Sequence, residues 1–496
     1  MTAINTYLTK NYKKIIGWGT GGYYERYAKK LGVEFDYLVD NNQTKWGSII
    51  DNAEVCSPFR LMHEVPGETI IIVFSSFYED IKNEILQFGD FYTITGYQIL
   101  SLEKYLINNE TEELLEIDEF NKEIIISISR NNFALYIGGT SKFIREQMEI
   151  FIQEDLINLH LFWQEYNIKH FQGFYLTIIK NGIEKGIYSI HDFLSKDLKI
   201  KGIIIHNLIG LDYGILEDIL AKYNNSKLIY YIHDFSCICS NIKLMFNDEF
   251  YCKSFESRWE ICLNCENLKN KEKIFKYHLS FFSSRDVTLI APSNNTRNII
   301  LKSFALPIEK VKVIEHQTYC KTSKSINNSN SKLKLAYVGY KHKHKGWEEF
   351  KQLARDFAEE YDFYCFGMSD ETIDGVKYVD VSFIEDGELA MTKKLREHSI
   401  DIALLWSVWP ETYSYTYYES YAAGLYIITN ELSGNIADQV LKNNNGVVLK
   451  NYNELSSLLS NQEELKQKLK HNNSLIDDLT KNSRTILDVL GVKRGS

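Results

Sequence analysis

This 496-residue chain has no long apolar run and no excess of basic residues. No stretch reaches the eighteen or so apolar residues of a membrane-spanning helix, so none is expected. The 56 lysines and arginines fall short of 66 aspartates and glutamates, for a net charge of −10. A dedicated nucleic-acid binder would carry the opposite balance, so nucleic acid is excluded as a partner. The N-terminus, Met1-Thr2-Ala3-Ile4-Asn5-Thr6-Tyr7, offers no basic segment followed by an apolar core. No secretion signal is read there, and a cytoplasmic location is the default. Proline is scarce, at five, beside 33 tyrosines and many asparagines, lysines and isoleucines. That bias reads as codon usage and carries no chemistry. Cysteine is sparse too, with eight, five of them between Cys237 and Cys265.

The length suits three domains of ordinary size, each with its own core. Residues 1–100 read as half a doubly wound sheet. A β-run from Lys13 leads into glycines at Gly17, Gly19 and Gly22, spaced G-x-G-x-x-G, with a helical segment from Tyr23 to Leu31 behind them. A second strand, Phe35 to Val39, ends in Asp40, and a third follows at Thr69 to Phe74. Strand, glycine turn, helix, strand, acid is the order of a dinucleotide-binding unit, in which Asp40 would accept from ribose hydroxyls. Three readings stay open for this small Rossmann-like domain: a second nucleotide site, a relic pocket that docks a partner, or a structural appendage.

Residues 101–123 form an acidic stretch that reads as a solvated linker with room for a short helix. Residues 124–320 alternate apolar runs and helical segments, with a glycine turn at Gly138-Gly139, a helix from Lys142 to about Ile152, and a strand at Leu159 to Phe162. The runs Gly202 to Asn207 and Lys227 to Asp234 end in polar residues, so His206 and His233-Asp234 fall where parallel strands present ligand-binding loops. A Ser/Asn/Lys-rich segment, 321–331, reads as a hinge. Residues 332–496 alternate strands and helices again, from Leu333 to about Gly491.

Within the insert 237–265, Cys239, Cys252 and the pair Cys262-Leu263-Asn264-Cys265 offer four thiolates. C-x2-C is half of a common structural zinc site, and disulfides are disfavoured in a reducing cytoplasm. Structural zinc and a packed set of reduced thiols are both compatible with this pattern.

The densest signal lies at 409–424, where Glu411 and Glu419 stand eight residues apart in Trp409-Pro410-Glu411-Thr412-Tyr413-Ser414-Tyr415-Thr416-Tyr417-Tyr418-Glu419-Ser420-Tyr421-Ala422-Ala423-Gly424. Eight residues is a little over two helical turns, so both carboxylates can face one cleft. A loop entering a helix there would also aim unpaired N–H groups at a diphosphate. This string, with its proline before the first glutamate, its Ala-Ala-Gly after the second and the β-rich Leu425 to Thr429 beyond, resembles the Glu-x7-Glu signature of retaining glycosyltransferases of family 4. The resemblance covers roughly residues 126–460. It implies the GT-B fold: two Rossmann-like, doubly wound α/β domains facing a cleft, here behind the smaller front domain.

The resemblance also implies roles. Glu411 would bind or orient the transferred sugar, Glu419 would hold the nucleotide ribose, and the amides of Thr412 and Tyr413 would approach the diphosphate. Lys345-Gly346 matches the family's Lys-Gly, whose cation helps neutralise the leaving phosphate with no metal required. Tyr340 stands where the family has an arginine after Gly339, so Lys341 or Lys343 would have to substitute. Gly367 would line the base pocket, Gly138 and Gly139 would abut the diphosphate, Ser433-Gly434-Asn435 would lie near the sugar, and His233 would hydrogen-bond near the reacting centre. The implied ligand is a nucleotide sugar, with UDP favoured. The acceptor is a glycan, a lipid-linked glycan or a protein, with peripheral membrane association compatible. Two other readings compete: a non-catalytic sugar-nucleotide-binding subunit, and an NAD-dependent epimerase or reductase. The last lacks a Tyr-x3-Lys pair after a second half-sheet and is set aside.

Overall fold

The computed structural model describes all residues except 1, 76, 108–113, 117, 118, 120, 131, 134–137, 254–258, 323–331, 368–371, 383–385, 388, 471–474, 483 and 493–496; the side chains of 259, 318–322, 470 and 475–481 are also outside it. The chain forms two compact units, one of Met1–Asn132, Phe151–Lys201 and Gly210–Ser226, the other of Phe133–Ile150, Gly202–Ile209 and Lys227–Ser496. Among the described residues, no helix is long and apolar enough to cross a membrane.

In the first unit, five parallel strands run in the order Tyr92–Thr95, Thr69–Val73, Lys14–Trp18, Tyr37–Val39, Ala53–Cys56. Numbered along the chain, that order is 5-4-1-2-3, the doubly wound pattern read from the sequence. Ile16, Trp18, Tyr37, Val39, Ile71 and Val73 bury one face of it. Gly19, at φ +95°, follows the first strand so closely that a Cβ there would lie 2.8 Å from Phe74 O. The Gly22–Leu31 helix begins directly after this turn.

The strand expected at Leu159 to Phe162 is much longer, Ile157–Ile168, and pairs antiparallel with Phe171–Lys180, which pairs in turn with Ile183–Ser189. The second hairpin turns at Asn181 and Gly182, both at positive φ, as a two-residue Asn-Gly turn requires. The acidic stretch contributes its first seven residues to the Gly96–Ile107 helix. Farther along it, Glu119 accepts from Lys180 Nζ at 2.7 Å.

The second unit holds two parallel sheets. One runs Val311–Val313, Val287–Ala291, Lys227–Tyr231 and the Gly202–Ile205 part of its neighbour. The other has six strands in the order Val376–Val379, Tyr361–Phe366, Leu333–Val338, Ile402–Leu404, Tyr426–Asn430, Gly446–Leu449. Numbered along the chain this is 3-2-1-4-5-6, the order of the Rossmann fold. Alternation along its strands sends Leu335 and Tyr337 to one face and Ala336 and Val338 to the other. The first face is covered by Trp347, Phe350 and Leu353 of the Trp347–Asp356 helix, the second by Tyr417, Tyr418 and Tyr421. An α/β chain with parallel, Rossmann-like sheets is the fold class expected. Of the segment read as a hinge, 321 and 322 close the strand Gln317–Thr322, which pairs antiparallel with Leu475–Lys481, and the remainder lies outside the described residues.

Candidate active site

The six-stranded sheet reverses its winding between its first strand, Leu333–Val338, and its fourth, Ile402–Leu404. Ligands of open α/β sheets bind outside the strand ends at such a switch point. The loops leaving these two strands carry Lys345 and Glu411. A cavity of about 380 Å3 lies there, and loops of both sheets of this unit line it.

Lys345 Nζ lies 2.5 Å from Glu411 Oε1, and Ser407 Oγ donates to the same oxygen at 3.1 Å. Two glycines permit this closeness. Gly346, at φ +81°, presses against Trp406, whose carbonyl would lie 2.4 Å from a Cβ. Gly434, at φ +58°, packs on the Pro410–Glu411 peptide, where a Cβ would lie 2.7 Å from Glu411 N. The Lys345 turn is further tied to the acidic loop by Val408 N, which donates to His344 O at 3.0 Å.

Behind Glu411 the chain enters the Tyr415–Ala422 helix, capped by Ser414, whose hydroxyl accepts from Tyr417 N. Thr412 is fixed by its hydroxyl, which donates to His233 O at 2.5 Å. Tyr413 is fixed by its ring, stacked 4.8 Å from Tyr418. Among the described residues neither Thr412 N nor Tyr413 N donates a hydrogen bond. Two adjacent amides before a helix N-terminus form an anion-binding arrangement.

Glu419, just past the first turn of the helix, is 2 % exposed, and neither carboxylate oxygen has a hydrogen-bond partner. The nearest cation is Lys142 Nζ, 4.0 Å from Oε1, which also sits over the Tyr415 ring. Burial pushes the carboxyl up to about 7, with Lys142 only partly opposing it. A buried carboxylate without donors is costly, and a ligand that brings hydroxyls would satisfy it.

The opposite wall begins at Gly138, Gly139 and Thr140, at the start of the Gly139–Gln153 helix. A Cβ on Gly139 would lie 3.2 Å from the Tyr415 ring. His233 Nε2 lies 3.0 Å from His206 Nδ1, and burial drives its pKa down to about 3, so the ring is neutral at physiological pH. His316 packs against Phe143 at 4.1 Å and Tyr413 at 4.5 Å, and burial, with His233 nearby, holds it well below the ordinary value.

The cavity therefore collects Glu411, Glu419, Lys345, His233, Thr412, Tyr413, Gly138 and Gly139. Other expected residues lie apart from its lining. Gly339 and Gly367 abut each other, a Cβ on Gly367 meeting Gly339 O at 2.9 Å, and Gly339 touches the lining through Thr416. Lys341 holds its ammonium 4.3 Å from the Tyr378 ring and 5.0 Å from Trp347. Lys142, Arg145, His316 and Tyr415 line the cavity but were not singled out in the sequence. The first two are one turn apart behind a glycine pair, a spacing that could have flagged them; His316 stands in a short polar run with no motif.

In the first unit, Asp40 is engaged by its own loop and by the glycine turn. Its carboxylate accepts from Thr20 N at 3.0 Å, Asn42 N at 2.9 Å and Lys45 Nζ at 3.1 Å, and also from the Thr20 hydroxyl. Burial opposes ionisation, but these donors hold the carboxyl below its ordinary value. Gly17 packs on Leu38, while Gly21 and Gly22 face open space.

Zinc is not shown at the four cysteines. Among the described residues no three His, Cys, Asp or Glu side chains are placed to hold a metal. Cys262 Sγ instead accepts from buried Lys271 Nζ at 3.0 Å, and burial pushes the Cys239 thiol up to about 11. Cys239, Cys252 and Cys262 are buried in this packing.

The family model described as C2185-like, N-terminal, matches residues 11–95. No curated protein matches the chain. Among solved structures, sucrose-phosphate synthase from Thermosynechococcus elongatus is similar over 74% of this chain and 95% of its own, at 12% identity and a TM-score of 0.47. Anabaena HepE in complex with UDP-glucose covers 74% of this chain and 94% of its own, at 11% identity and a TM-score of 0.44. WaaG, a glycosyltransferase involved in lipopolysaccharide biosynthesis, covers 75% and 100%, at 11% identity and a TM-score of 0.44. Likenesses of this grade do not bear on the chemistry of this chain, which rests on its own side chains.

Proposed function

We propose that this chain is a retaining glycosyltransferase that moves a sugar from a nucleoside diphosphate sugar, preferably a UDP-sugar, to a glycan, lipid-linked or protein acceptor in surface-glycan synthesis. The observation that carries this reading is the cavity's combination of one ion-paired acid, one buried acid without donors, and two unpaired amides between them. Each meets a different part of such a donor. Glu419 accepts from ribose hydroxyls. The amides of Thr412 and Tyr413 and the start of the Gly139–Gln153 helix take the diphosphate. Glu411, held by Lys345 and Ser407, takes hydroxyls of the sugar.

The bond from the anomeric carbon to the diphosphate oxygen breaks, and its electron pair leaves with that oxygen. Lys345 and Arg145 supply positive charge there; Arg145 provides the guanidinium absent at position 340. The acceptor oxygen bonds to the anomeric carbon on the face being vacated, and its proton passes to the departing phosphate. His233, neutral and buried, serves as a hydrogen-bonding group. Electrostatic stabilisation of this kind is worth ~3 kcal/mol per donor, so Lys345→Ala should lower turnover ~100-fold. We place the enzyme in the cytoplasm, where it can meet a lipid-linked acceptor at a membrane surface.

Tyr340 in place of an arginine favours one second reading, a non-catalytic sugar-nucleotide-binding subunit. Donor hydrolysis in the absence of acceptor separates the two. The transferase hydrolyses UDP-sugar slowly, and Glu411→Ala abolishes this with the fold intact. A binding subunit hydrolyses none, and wild-type rates in both variants would refute the catalytic assignment.

A further inference from the structure

Outside the active site, a shallow cavity of about 570 Å3 lies in the first unit. It sits beyond the carboxyl ends of the Tyr37–Val39 and Ala53–Cys56 strands, against the Tyr78–Leu86 helix. Its lining has two components. Trp46, Phe59 and Phe88 supply aromatic surface, with Trp46 37% and Phe59 66% exposed. Neither exposed ring swings freely. Trp46 Nε1 donates to Asp40 O at 2.7 Å, and Phe59 packs edge-on to Phe88 at 5.9 Å. Gln43, Gln87, Asn41 and Glu84 supply the polar rim. Asn41 Nδ2 donates to Glu84 Oε2 at 2.9 Å, while the side-chain amides of Gln43 and Gln87 make no hydrogen bond among the described residues.

Among the described residues no lysine, arginine or histidine lines this cavity, so they offer nothing to neutralise a phosphate or carboxylate. Large exposed apolar rings gathered on a protein surface mark an interaction site. Fixed aromatic faces suit the apolar C–H face of a pyranose ring, and planar amides beside a carboxylate suit neighbouring hydroxyls, which both donate and accept. A shallow, open, uncharged-to-acidic site of this composition matches a neutral saccharide and excludes a nucleotide diphosphate.

We propose that this cavity of the front domain binds a neutral oligosaccharide chain. Binding itself follows from the lining; that the bound chain is the acceptor, held at raised local concentration for transfer, rests on the transferase reading above.

The test uses the full chain on an array of neutral glycans that includes maltohexaose, chitohexaose and galactan fragments, with wild type, Trp46→Ala, Gln43→Ala/Gln87→Ala and Glu411→Ala compared. The expected result is retention of at least one neutral probe, a tenfold or greater loss in each front-domain variant, and unchanged retention by Glu411→Ala. The front-domain variants should melt within a few degrees of wild type and bind UDP as wild type does. Failure of the transferase reading alone would leave this pattern intact while donor hydrolysis was absent. The proposal is overturned if no neutral probe is retained above the Trp46→Ala level. It is also overturned if the front-domain variants lose UDP binding, or if Trp46→Ala instead breaks a self-association of the chain or its binding to a protein.

Discussion

Replacing Glu419 by glutamine removes a charge that the folded protein holds at a cost. Burial lifts the carboxyl from 4.5 to about 7, because neither oxygen has a donor and Lys142 stands off at 4.0 Å. Between those two values the folded chain keeps a proton that the unfolded chain has released, so this contribution to stability is complete below pH 4.5 and is lost as pH rises through 7. At ~1.4 kcal/mol per pH unit between them, the ionised group costs ~3 kcal/mol above that range. A carboxamide at this position cannot ionise, so the Glu419→Gln variant lacks this slope. Melting temperatures of wild type and variant, measured together from pH 4.5 to 8, should therefore separate, the wild type falling relative to the variant as pH rises. At ~2–4 °C per kcal/mol for a domain of 150–250 residues, their difference should change by ~6–12 °C. UDP should act in the opposite sense. Ribose hydroxyls donate to the ionised carboxylate, so wild-type affinity should rise with pH through 7, and the variant should lose ~10-fold or more. Parallel melting curves, or equal UDP affinity in the two proteins, would refute the assignment of this group.

Three further outcomes follow from the same structure. Gly434→Ala places a Cβ 2.7 Å from Glu411 N at a positive φ, so donor affinity or turnover should fall ~100-fold from displacement of the Glu411 loop, with the bulk of the secondary structure kept; an unaffected rate would show that the loop tolerates the shift. His233 and His278 are neutral in the fold, lowered by burial to about 3 and about 4, so their contribution is complete above pH 6.5 and lost as pH falls toward those values. Substituting phenylalanine at His278 should flatten the acid limb of stability, read by denaturant melts between pH 4 and 7. Because the thiols of the insert pack without a metal geometry, chelation should leave the melting temperature unchanged, and the tag-free protein should contain less than about half an equivalent of zinc.

Much of this was legible in the sequence where local chemistry and pattern agree. The apolar runs from Leu333, Ile400 and Tyr426 announce buried parallel strands, and the Pro-Glu string announces a loop passing into a helix. The hairpin from Ile157 to Ser189 was missed although Asn181-Gly182 is a strong short turn signal. Its strands are buried along much of their length, so alternation is weak and a parallel sheet was the better match. The cysteine cluster was harder to read because spacing along the chain fixes only the C-x2-C half, in which Cys262 accepts from buried Lys271. His316 reaches the cavity from a segment far in sequence from Lys142 and Arg145, and only the fold brings it to them. Asp40 shows the converse: the motif residue is where the pattern puts it, yet its oxygens are taken by Thr20 of the glycine turn and by its own loop.

The most direct measurement is a crystal structure of the chain with an intact or non-hydrolysable UDP-sugar. The account predicts the diphosphate against the amides of Thr412 and Tyr413 with Lys345 beside it, the ribose hydroxyls on Glu419, and the sugar on Glu411. Nucleotide bound instead at the Gly19–Gly22 turn of the front domain, or a cavity that stays empty at saturating donor, would contradict it.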